Sequence, residues 1–430
     1  MTQTIEVGLL GFGTVGSGVV KRLTQAATKI TQTQGFRLHL AVVAVRHLNA
    51  PRAVSLPLGT RLTDSIQSVV TDPQIQIVIE VMGTLVTAEA AIVTALKHGK
   101  SVITANKDLI ATAGDRLTRL AQRQHCDLFY EASVAGGIPI LRTLTDSYAT
   151  DEVEQLAGII NGTANYILTA MTATGQSYGQ ALVAAQAAGY AETDPTNDVG
   201  GLDTAYKLTI LSQFAFGQAL TLAQLKPTGM TAITTADCQA ASKAGWQVKL
   251  LAQVQRHAGQ LYCRVAPVAV PNQNALSQVQ GVQNGVAVTS QAIGDCLYTG
   301  PGAGSTATAN SVLNDVIVAA QHWVQQTRGP VVNPDQQRLP VQSLTEIPQT
   351  YLLFTELPVA QLQAHANERH FSIKRQNTIC YQTSVLTRLQ HDNLVASLGH
   401  ENVTALPIAF STQWPVAAVQ AESSAVDLAI

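Results

Sequence analysis

The sequence of 430 residues predicts an α/β protein that begins with a doubly wound parallel sheet. Three observations support this fold class. A glycine-rich turn near the start separates an apolar strand from an amphipathic helix, strands and helices alternate up to about residue 130, and the periodicity becomes mixed beyond that point. We therefore expect a parallel sheet first, an α+β domain after it and a small domain at the carboxyl end.

The first predicted unit is the stretch "IEVGLLGFGTVGSGVVKRL", in which a strand leads through a glycine turn into a helix. The turn contains, in the pattern GxGxxG, the residues Gly11, Phe12, Gly13, Thr14, Val15 and Gly16. In this context the first glycine permits a tight turn, the second lets the backbone approach a pyrophosphate, and the third lets the helix pack closely on the strand. The pattern predicts a Rossmann-type dinucleotide-binding domain; the alternative is a glycine turn kept for packing alone.

The end of the second predicted strand, "FRLHLAVVAV", bears on the choice between NAD and NADP. A site selective for NAD places an acidic residue there, but this strand ends in Arg46, and no Asp or Glu occurs between Glu6 and Asp64. A guanidinium suits a 2′-phosphate by charge and by bidentate hydrogen bonding. We predict NADP(H), or dual use of NADP and NAD; the alternative is that Arg46 faces solvent or stacks on adenine without selecting a phosphate.

Polar or flexible residues follow the next strands, "IQIVIEVMG" and "SVITAN". Ligands of a doubly wound sheet bind at the carboxyl ends of its strands. The residues at these ends, which we predict to contact the cofactor, are Gly83, Thr84, Asn106 and Lys107. Gly302, in the later turn "TGPGAGST", is a further candidate because the long helix after it could return to the first domain. The alternative for Lys107 is a lysine in solvent at the start of a helix.

The segment after residue 128 has a different character. Two strand-turn-helix stretches, "LFYEASVAGGIPILRTL" and "EQLAGIINGTANYILTAM", precede helices predicted around 164–188 and 203–217 and strands near 228–235, 247–256 and 260–268. We predict a dinucleotide-binding domain over 1–135, completed by about 300–335. A substrate-binding and dimerisation domain with a mixed sheet should span 136–299, and a small domain 345–430.

The stretch "ETDPTNDVGGLDTAYK", residues 192–207, concentrates charge in a chain of which only 13% is charged. Asp203 and Lys207 are four residues apart at the start of a helix with a strongly apolar continuation, so their side chains share one face. A small zwitterionic substrate needs carboxylates for its ammonium group and a proton donor for its reacting oxygen. We interpret the stretch as part of such a pocket; the alternative is an ion pair in solvent.

The composition excludes several classes of protein. A formal net charge of -2 provides no basic field for nucleic acid, and no apolar run approaches the roughly 18 residues that span a bilayer. The five cysteines include no CxxC pair, which argues against a disulfide framework or a zinc cluster. The amino terminus "MTQTIEVGLL" lacks the features of a secretory signal, so we expect a cytoplasmic protein.

Six motifs, in their order and approximate spacing, resemble those of the homoserine dehydrogenase family and together span residues 5 to about 330. They are "GFGTVG", "VITANKDLIA", "YEASVAGGIPI", "NGTANYIL", "GYAETDPTNDVGGLDTAYKL" and "GPGAGSTATANSV". The resemblance implies an NAD(P)-dependent oxidoreductase that reversibly interconverts L-homoserine and L-aspartate 4-semialdehyde, on the route from aspartate to threonine and methionine. It also implies a homodimer.

The resemblance further implies roles for residues of this chain. The catalytic residues that it implies are Lys207, Asp203 and Lys107. The substrate-binding residues that it implies are Glu192, Asp198, Thr163, Gly189 and Tyr190. A monovalent cation, usually sodium, is implied at the backbone carbonyls of Glu131, Val134, Gly136 and Ile138. Asp194 precedes Pro195 and is left out of the site, because we expect it to shape or cap the turn.

Two departures from the family pattern matter. Thr84 stands where the family usually has a second glycine, which would narrow the nicotinamide side of the cleft. The segment from 350 follows the βαββαβ order of a regulatory ACT domain, but Pro358-Val359 replaces the turn that would bind an effector through close backbone contact. We therefore favour an ACT-like domain with a structural or dimerisation role over threonine feedback.

Two other functions stay open at this point. A sensor could bind NADP without turnover, although it would have no use for Lys107, Asp203 and Lys207 together. A dehydrogenase could act on a different small amino-acid-like alcohol, because the number of acidic residues in a pocket does not measure the length of its substrate.

Overall fold

The computed structural model describes residues 2–327, 338–368, 370–399 and 401–409. The described residues form two compact units. The first contains those of the ranges 1–150, 206–219 and 300–338, and the second contains those of 151–205, 220–299 and 339–430. This division into compact units does not test the domain boundaries expected from the sequence, which stay a prediction.

The first unit is built on a six-stranded sheet. Its strands are β1 (Gln3–Leu10), β2 (Phe36–Ala44), β3 (Arg61–Thr63), β4 (Ile77–Glu80), β5 (Ser101–Thr104) and β6 (Leu128–Phe129). They lie in the order β3-β2-β1-β4-β5-β6, and each neighbouring pair is parallel. This is the order of a doubly wound sheet, in which the winding reverses between β1 and β4. The predicted Rossmann-type sheet is confirmed.

A second six-stranded sheet lies in the later part of the chain. Its strands are β7 (Val153–Ile159), β8 (Trp246–His257), β9 (Gln260–Pro271), β10 (Gln283–Ser290), β11 (Gly294–Pro301) and β12 (Val341–Ser343). The order is β11-β10-β7-β8-β9-β12. The strand β7 is antiparallel to β8 and β10, whereas β12 runs parallel to β9, so the sheet is mixed, as predicted.

The strand predicted near 228–235 is wrong. The chain is irregular over 228–234, with a turn at 231–232, and enters a helix at Thr235. Met230 and Ile233 are buried, which explains the strand-like apolar pattern. The helix start is fixed by a capping box: Thr234 Oγ1 accepts from the Asp237 N–H at 3.1 Å, and Asp237 Oδ2 accepts from the Thr234 N–H at 2.9 Å.

Helices pack on these sheets and bury their apolar faces. They are α1 (Thr14–Gln34), α2 (Gln67–Val70), α3 (Val86–Lys97), α4 (Lys107–Arg123), α5 (Ile140–Asp146), α6 (Gly162–Thr174), α7 (Tyr178–Ala187), α8 (Thr196–Val199), α9 (Leu202–Phe216), α10 (Leu222–Leu225), α11 (Thr235–Lys243), α12 (Ser305–Gln325), α13 (Val359–Glu368) and α14 (Arg388–Leu398). In the first unit α12 packs along α1, where Arg22 Nη2 donates to Asn310 Oδ1 at 3.0 Å. None of the helices that the structure describes is long and apolar enough to cross a membrane.

Four short strands form the third sheet. They are β13 (Tyr351–Phe354), β14 (Ile373–Arg375), β15 (Cys380–Thr383) and β16 (Thr404–Pro407). Their order is β14-β15-β13-β16, and each neighbouring pair is antiparallel. With α13 and α14 they follow the predicted βαββαβ order, in the split arrangement of ferredoxin-like domains. Leu353, Leu362 and Leu394 belong to the buried core of this layer.

Candidate functional site

The three motif glycines of the turn after β1, Gly11, Gly13 and Gly16, differ in the room that each leaves for a side chain. Gly11 has a φ of +98°, and a Cβ there would lie 2.7 Å from the carbonyl oxygen of Val81. A Cβ on Gly16 would collide with the carbonyl oxygen of Gly11, whereas a Cβ on Gly13 would have no neighbouring atom within 4 Å. Gly13 also caps α1 without any side-chain hydrogen bond. The start of α1 therefore offers backbone N–H groups beside open space, as a bound pyrophosphate requires.

A cleft of about 650 Å³ lies at the carboxyl ends of β1, β2 and β4. The predicted cofactor residues that line it are Gly11, Phe12, Gly13, Arg46 and Thr84. Arg46 is exposed, and its position two residues after the end of β2 is that of the adenosine side of a dinucleotide site. Of the other turn residues, Val15 packs against the apolar core, and the Thr14 carbonyl oxygen accepts from Ser305 Oγ at 2.8 Å.

Two charged residues of the same cleft, Arg52 and Asp64, were not predicted as site residues from the sequence. Arg52 donates to the carbonyl oxygens of His47, Leu48 and Ala50 over 2.7 to 2.8 Å, so its guanidinium fixes the loop after β2. Asp64 also lines the cleft. The available signal was the place of Asp64 immediately after a strand, but β3 is only three residues long and its pattern did not identify it.

Three polar side chains, which we call the strand-end relay, join the ends of β4 and β5: Glu80, Thr104 and Asn106. Glu80 is fully buried, and its two carboxylate oxygens accept from the Met82 N–H and from Thr104 Oγ1, each at 2.7 Å. Thr104 Oγ1 in turn accepts from the Asn106 N–H at 3.0 Å. Burial raises the pKa of Glu80, and the hydrogen bonds from Thr104 and Met82 partly counteract that rise.

The relay continues into the turns that carry predicted cofactor residues. Asn106 Nδ2 donates to the Thr84 carbonyl oxygen at 2.7 Å, and Asn106 Oδ1 accepts from the Leu109 N–H at 3.2 Å, which caps α4. Lys107 is the first residue of α4, and its ammonium lies 3.7 Å from the Asp108 carboxylate. Gly83 has a φ of +69°, so the turn before Thr84 depends on a glycine.

In the second unit one amide bridges two of the acidic residues that the sequence singled out. Asn161 Nδ2 donates to Asp198 Oδ1 at 2.7 Å and to Asp203 Oδ2 at 2.8 Å. Asn161 Oδ1 accepts from the Ala164 N–H at 2.7 Å and caps α6, so three hydrogen bonds fix the orientation of the amide. Asp203 and Asn161 are buried and Asp198 is half-buried. Sequence reasoning placed Asn161 only at a turn.

The remaining predicted substrate residues lie around the end of α7. Thr163 Oγ1 donates to the Tyr190 carbonyl oxygen at 2.6 Å, which ties the start of α6 to this loop. The loop turns at Gly189, whose φ is +74°, and Glu192 is exposed. The ring of Tyr190 lies 5.3 Å from that of Tyr166.

Asp194 has the local role that the sequence indicated. Its Oδ1 accepts from the Thr196 N–H at 3.1 Å and from Thr196 Oγ1 at 2.5 Å. These bonds form a turn at the side chain and lower the pKa of this exposed carboxyl. The turn-capping interpretation of Asp194 is confirmed.

Helix α9 carries two of the predicted catalytic residues. Asp203 stands in its first turn, and Lys207 follows four residues later. Asp203 belongs to the second unit and Lys207 to the segment 206–219 of the first. Lys207 is half-buried.

The segment proposed to hold a cation is a tightly folded turn. Ala135 and Gly136 have φ values of +53° and +46°, and a Cβ on Gly136 would collide with the Gly302 carbonyl oxygen. Three of the four predicted carbonyls accept a hydrogen bond: Glu131 O from the Val134 N–H, Gly136 O from Ser311 Oγ and Ile138 O from the Ile140 N–H. Each carbonyl oxygen retains a second lone pair.

The Glu131 side chain serves a different purpose from its carbonyl. Its carboxylate accepts from the N–H groups of Leu141 and Arg142, both at 2.8 Å, at the start of α5. Burial and then the nearby charge of Asp315 raise the pKa of Glu131 to about 7. Burial likewise raises the pKa of Asp315 to about 6, although Arg142 Nη2 lies 2.7 Å from its carboxylate.

Comparison with known proteins gives one consistent answer. A family model for the "Homoserine dehydrogenase, NAD binding domain" matches residues 11–131, and a model for "Homoserine dehydrogenase" matches residues 139–317. The homoserine dehydrogenase of Lactococcus lactis subsp. lactis is 40% identical over 318 residues, which cover 73% of this chain and 74% of that protein. That of Bacillus subtilis is 40% identical over 320 residues, or 74% of each chain.

A solved structure extends the similarity over nearly the whole chain. A homoserine dehydrogenase from Thiobacillus denitrificans superposes with a TM-score of 0.87 at 34% identity, covering 95% of this chain and 99% of the other. The family models, the relatives and the solved structure are all described as homoserine dehydrogenases. The glycine turn, the strand order and the acidic stretch before α9 occur in this same chain. This chain belongs to the homoserine dehydrogenase family, NAD(P)-dependent oxidoreductases that act on the CH–OH group of homoserine.

Proposed function

We propose that Lys207 is the acid/base of the reversible interconversion of L-homoserine and L-aspartate 4-semialdehyde, with Asp203 as its orienting partner. The observation that carries this proposal is the bridge from Asn161 to Asp198 and Asp203 at the start of the helix that bears Lys207. A carboxylate and an ammonium four residues apart on a helix share a face. The bridge fixes the side chain of Asp203 in the first turn of that helix.

In the reducing direction the carbonyl oxygen of the semialdehyde gains a proton while its carbon gains a hydride, which the nicotinamide supplies when bound. Lys207 gives that proton from its ammonium, directly or through a water molecule, and takes it back in the oxidising direction. Lys107, at the start of α4, adds positive charge near the developing negative oxygen. We expect both lysines to stabilise the transition state more than the bound substrate.

The substrate ammonium would be held by Glu192, with Asp198 as a second carboxylate. Exposure of Glu192 supports this role, because a ligand can reach it. Thr163, Gly189 and Tyr190 would line the same pocket, supported by the hydrogen bond that ties Thr163 to the Tyr190 carbonyl. A substrate without an ammonium group would leave these carboxylates unneutralised, so the pocket favours an amino acid over a simple hydroxy aldehyde.

For the cofactor we propose NADP(H), with NAD(H) as a weaker alternative in the same cleft. The turn from Gly11 to Gly16 would hold the pyrophosphate, and Gly83, Thr84, Asn106, Lys107 and Gly302 would surround the nicotinamide half. Arg46, exposed and lining the cleft after β2, would contact the 2′-phosphate. Asp64 in the same cleft is an acceptor for a ribose hydroxyl and supports residual use of NAD(H).

The experiment that tests the function is the initial rate of cofactor oxidation with L-aspartate 4-semialdehyde, measured with NADPH and with NADH. We expect turnover with both and a lower KM for NADPH. Turnover with neither cofactor, despite tight binding of NADPH, would contradict the proposal and favour the sensor or a different alcohol substrate.

Arg46→Ala should raise the KM for NADPH about tenfold and leave the KM for NADH within about twofold, because a charge-assisted hydrogen bond to the 2′-phosphate is lost. Steady-state kinetics with both cofactors checks this. Arg61→Ala removes an exposed guanidinium of the neighbouring strand β3 and should change neither KM. An equal rise in both KM values for Arg46→Ala would mean that Arg46 packs on adenine instead.

A monovalent cation is proposed at the backbone carbonyls of Glu131, Val134, Gly136 and Ile138. Support comes from the compact turn, which brings this segment against residue 302. We expect sodium to raise the rate relative to N-methylglucamine at equal ionic strength. An equal rate in both salts would remove the cation from the proposal.

We also propose that the protein is a cytoplasmic homodimer and that the βαββαβ layer is an ACT-like domain with a structural or dimerisation role. The strand order of the third sheet supports the ACT-like description. Pro358, which precedes α13, supports the absence of an effector-binding turn, since proline has no N–H to offer a ligand.

A further inference from the structure

We propose that Glu80 is a positioning residue for the nicotinamide half of the cofactor, acting through Thr104 and Asn106 on the turns that carry Thr84 and Lys107. This inference rests on the proposed cofactor site. It adds Glu80 and Thr104, two buried residues that neither the glycine motif nor the acidic stretch includes.

The hydrogen bonds of the relay run in one direction. The Asn106 N–H donates to Thr104 Oγ1, and the Thr104 hydroxyl proton is then available for Glu80 Oε2. The Asn106 side chain finally holds the Thr84 carbonyl and the first turn of α4. Because Thr104 accepts from one neighbour and donates to the other, the arrangement requires an acceptor at the position of Glu80.

An ionised Glu80 meets that requirement best. Both of its oxygens accept, one from the Met82 N–H and one from Thr104. A protonated Glu80 would keep both bonds only with its proton on Oε1, the oxygen that accepts from Met82, and that proton would need an acceptor outside the relay. A glutamine would replace one of the two acceptors with an NH2 donor, which would face either the Met82 N–H or the Thr104 hydroxyl.

Keeping this charge buried opposes folding. A carboxyl with a raised pKa in the folded state gives its full stabilisation below its ordinary value of 4.5 and loses it as the pH rises through the folded pKa. A group that destabilises the fold but orders the turns at a ligand site is expected to be retained for its action on the ligand.

The position of the relay indicates which half of the cofactor it serves. In a doubly wound sheet the two halves of a dinucleotide lie on opposite sides of the reversal point, here between β1 and β4. Arg46 follows β2 on one side, whereas Glu80 and Thr104 end β4 and β5 on the other. With the 2′-phosphate on the side of Arg46, the relay lies on the nicotinamide side.

The test compares binding of NADPH with binding of 2′-phospho-ADP-ribose, which lacks the nicotinamide, by fluorescence and calorimetry at pH 8. Glu80→Gln and Thr104→Val should each weaken NADPH binding about tenfold and leave binding of the fragment within about twofold. Thr104→Ser keeps the hydroxyl and should bind NADPH like the wild type. The Tm of Glu80→Gln should stay within about 3 °C of the wild type, because removal of the buried charge offsets the unfavourable contact of the new NH2 group.

Asp127→Asn is the matched control. Asp127 is a buried carboxylate directly before β6, at the amino end of the strand that neighbours β5 and so at the opposite end of the strands from the relay. It lies 3.1 Å from His322 Nδ1. This substitution should lower the Tm and leave both binding constants unchanged. It therefore separates loss of a buried carboxylate from loss of the relay.

Three results would overturn the inference. Equal weakening of NADPH and the fragment would mean that Glu80 supports the sheet as a whole, and unchanged NADPH binding in Glu80→Gln would mean that the relay does not act on the cofactor. A wild type that binds NADPH no more tightly than the fragment would overturn both the inference and the proposed placement of the nicotinamide. These binding measurements contain no substrate. They therefore test the inference even if the protein does not catalyse the proposed reaction.

Discussion

Replacing Lys207 with alanine is expected to lower kcat for semialdehyde reduction by about 10³-fold, with the Kd for NADPH within about twofold of the wild type. The reason is that the carbonyl oxygen of the substrate would lose its proton donor. The glycine turn and the proposed cofactor cleft of the first unit do not include Lys207 and should stay intact. Stopped-flow measurement of the first turnover, combined with a cofactor titration, separates the chemical step from binding.

Two further variants sharpen the result for Lys207. Lys207→Arg keeps the positive charge but cannot release a proton at working pH, so it should be almost as slow as alanine. Lys243→Ala, at the exposed end of α11, should have wild-type kinetics. Retention of more than about a tenth of the wild-type kcat in Lys207→Ala would show that another group transfers the proton.

Replacing Asn161 with alanine is expected to lower kcat/KM by about 100-fold. The substitution removes both N–H donors that bridge Asp198 and Asp203, and it leaves two negative charges close together without the amide between them. Because Asp203 is buried, water replaces the lost donors poorly. Steady-state kinetics with separate kcat and KM values, together with the Tm, measures the effect.

Asn161 also caps α6, and this second role needs its own control. Asn161→Ser keeps an oxygen that can cap the helix but loses the amide bridge, so its Tm should recover while kcat/KM stays low. Recovery of activity in Asn161→Ser would reduce the role of Asn161 to helix capping. Asn161→Asp keeps the size of the side chain but adds a third carboxylate, and it should be at least as impaired as alanine.

The sequence predicts those features that short spacing controls. The glycines of the turn at Gly11 lie within six residues, and the alternation of strands and helices leads directly to the parallel sheet. The same reasoning misread 228–235, because Met230 and Ile233 are buried without forming a strand. The capping pattern that begins at Thr234 was the better signal there, since it reports a local hydrogen bond rather than burial.

The residues that sequence reasoning missed depend on distant partners. Glu80 meets Thr104 across 24 residues, and Asn161 meets Asp198 and Asp203 across 37 and 42. A polar residue that ends an apolar strand gives no sign of its partner until the order of the strands is known. Three-dimensional pairing, rather than local pattern, therefore separates these residues from ordinary turn residues.

The guanidinium of Arg52 has a consequence for altering the cofactor preference. By holding three carbonyls of the loop after β2, it shapes that loop before any nucleotide arrives, so little conformational entropy remains to be lost on binding. Arg46, which precedes this loop and lines the same cleft, can then be varied while Arg52 keeps the loop in place. A designer who wishes to exchange NADP for NAD should therefore alter Arg46 and its neighbours and keep Arg52, because Arg52 provides the scaffold on which such changes remain independent of one another.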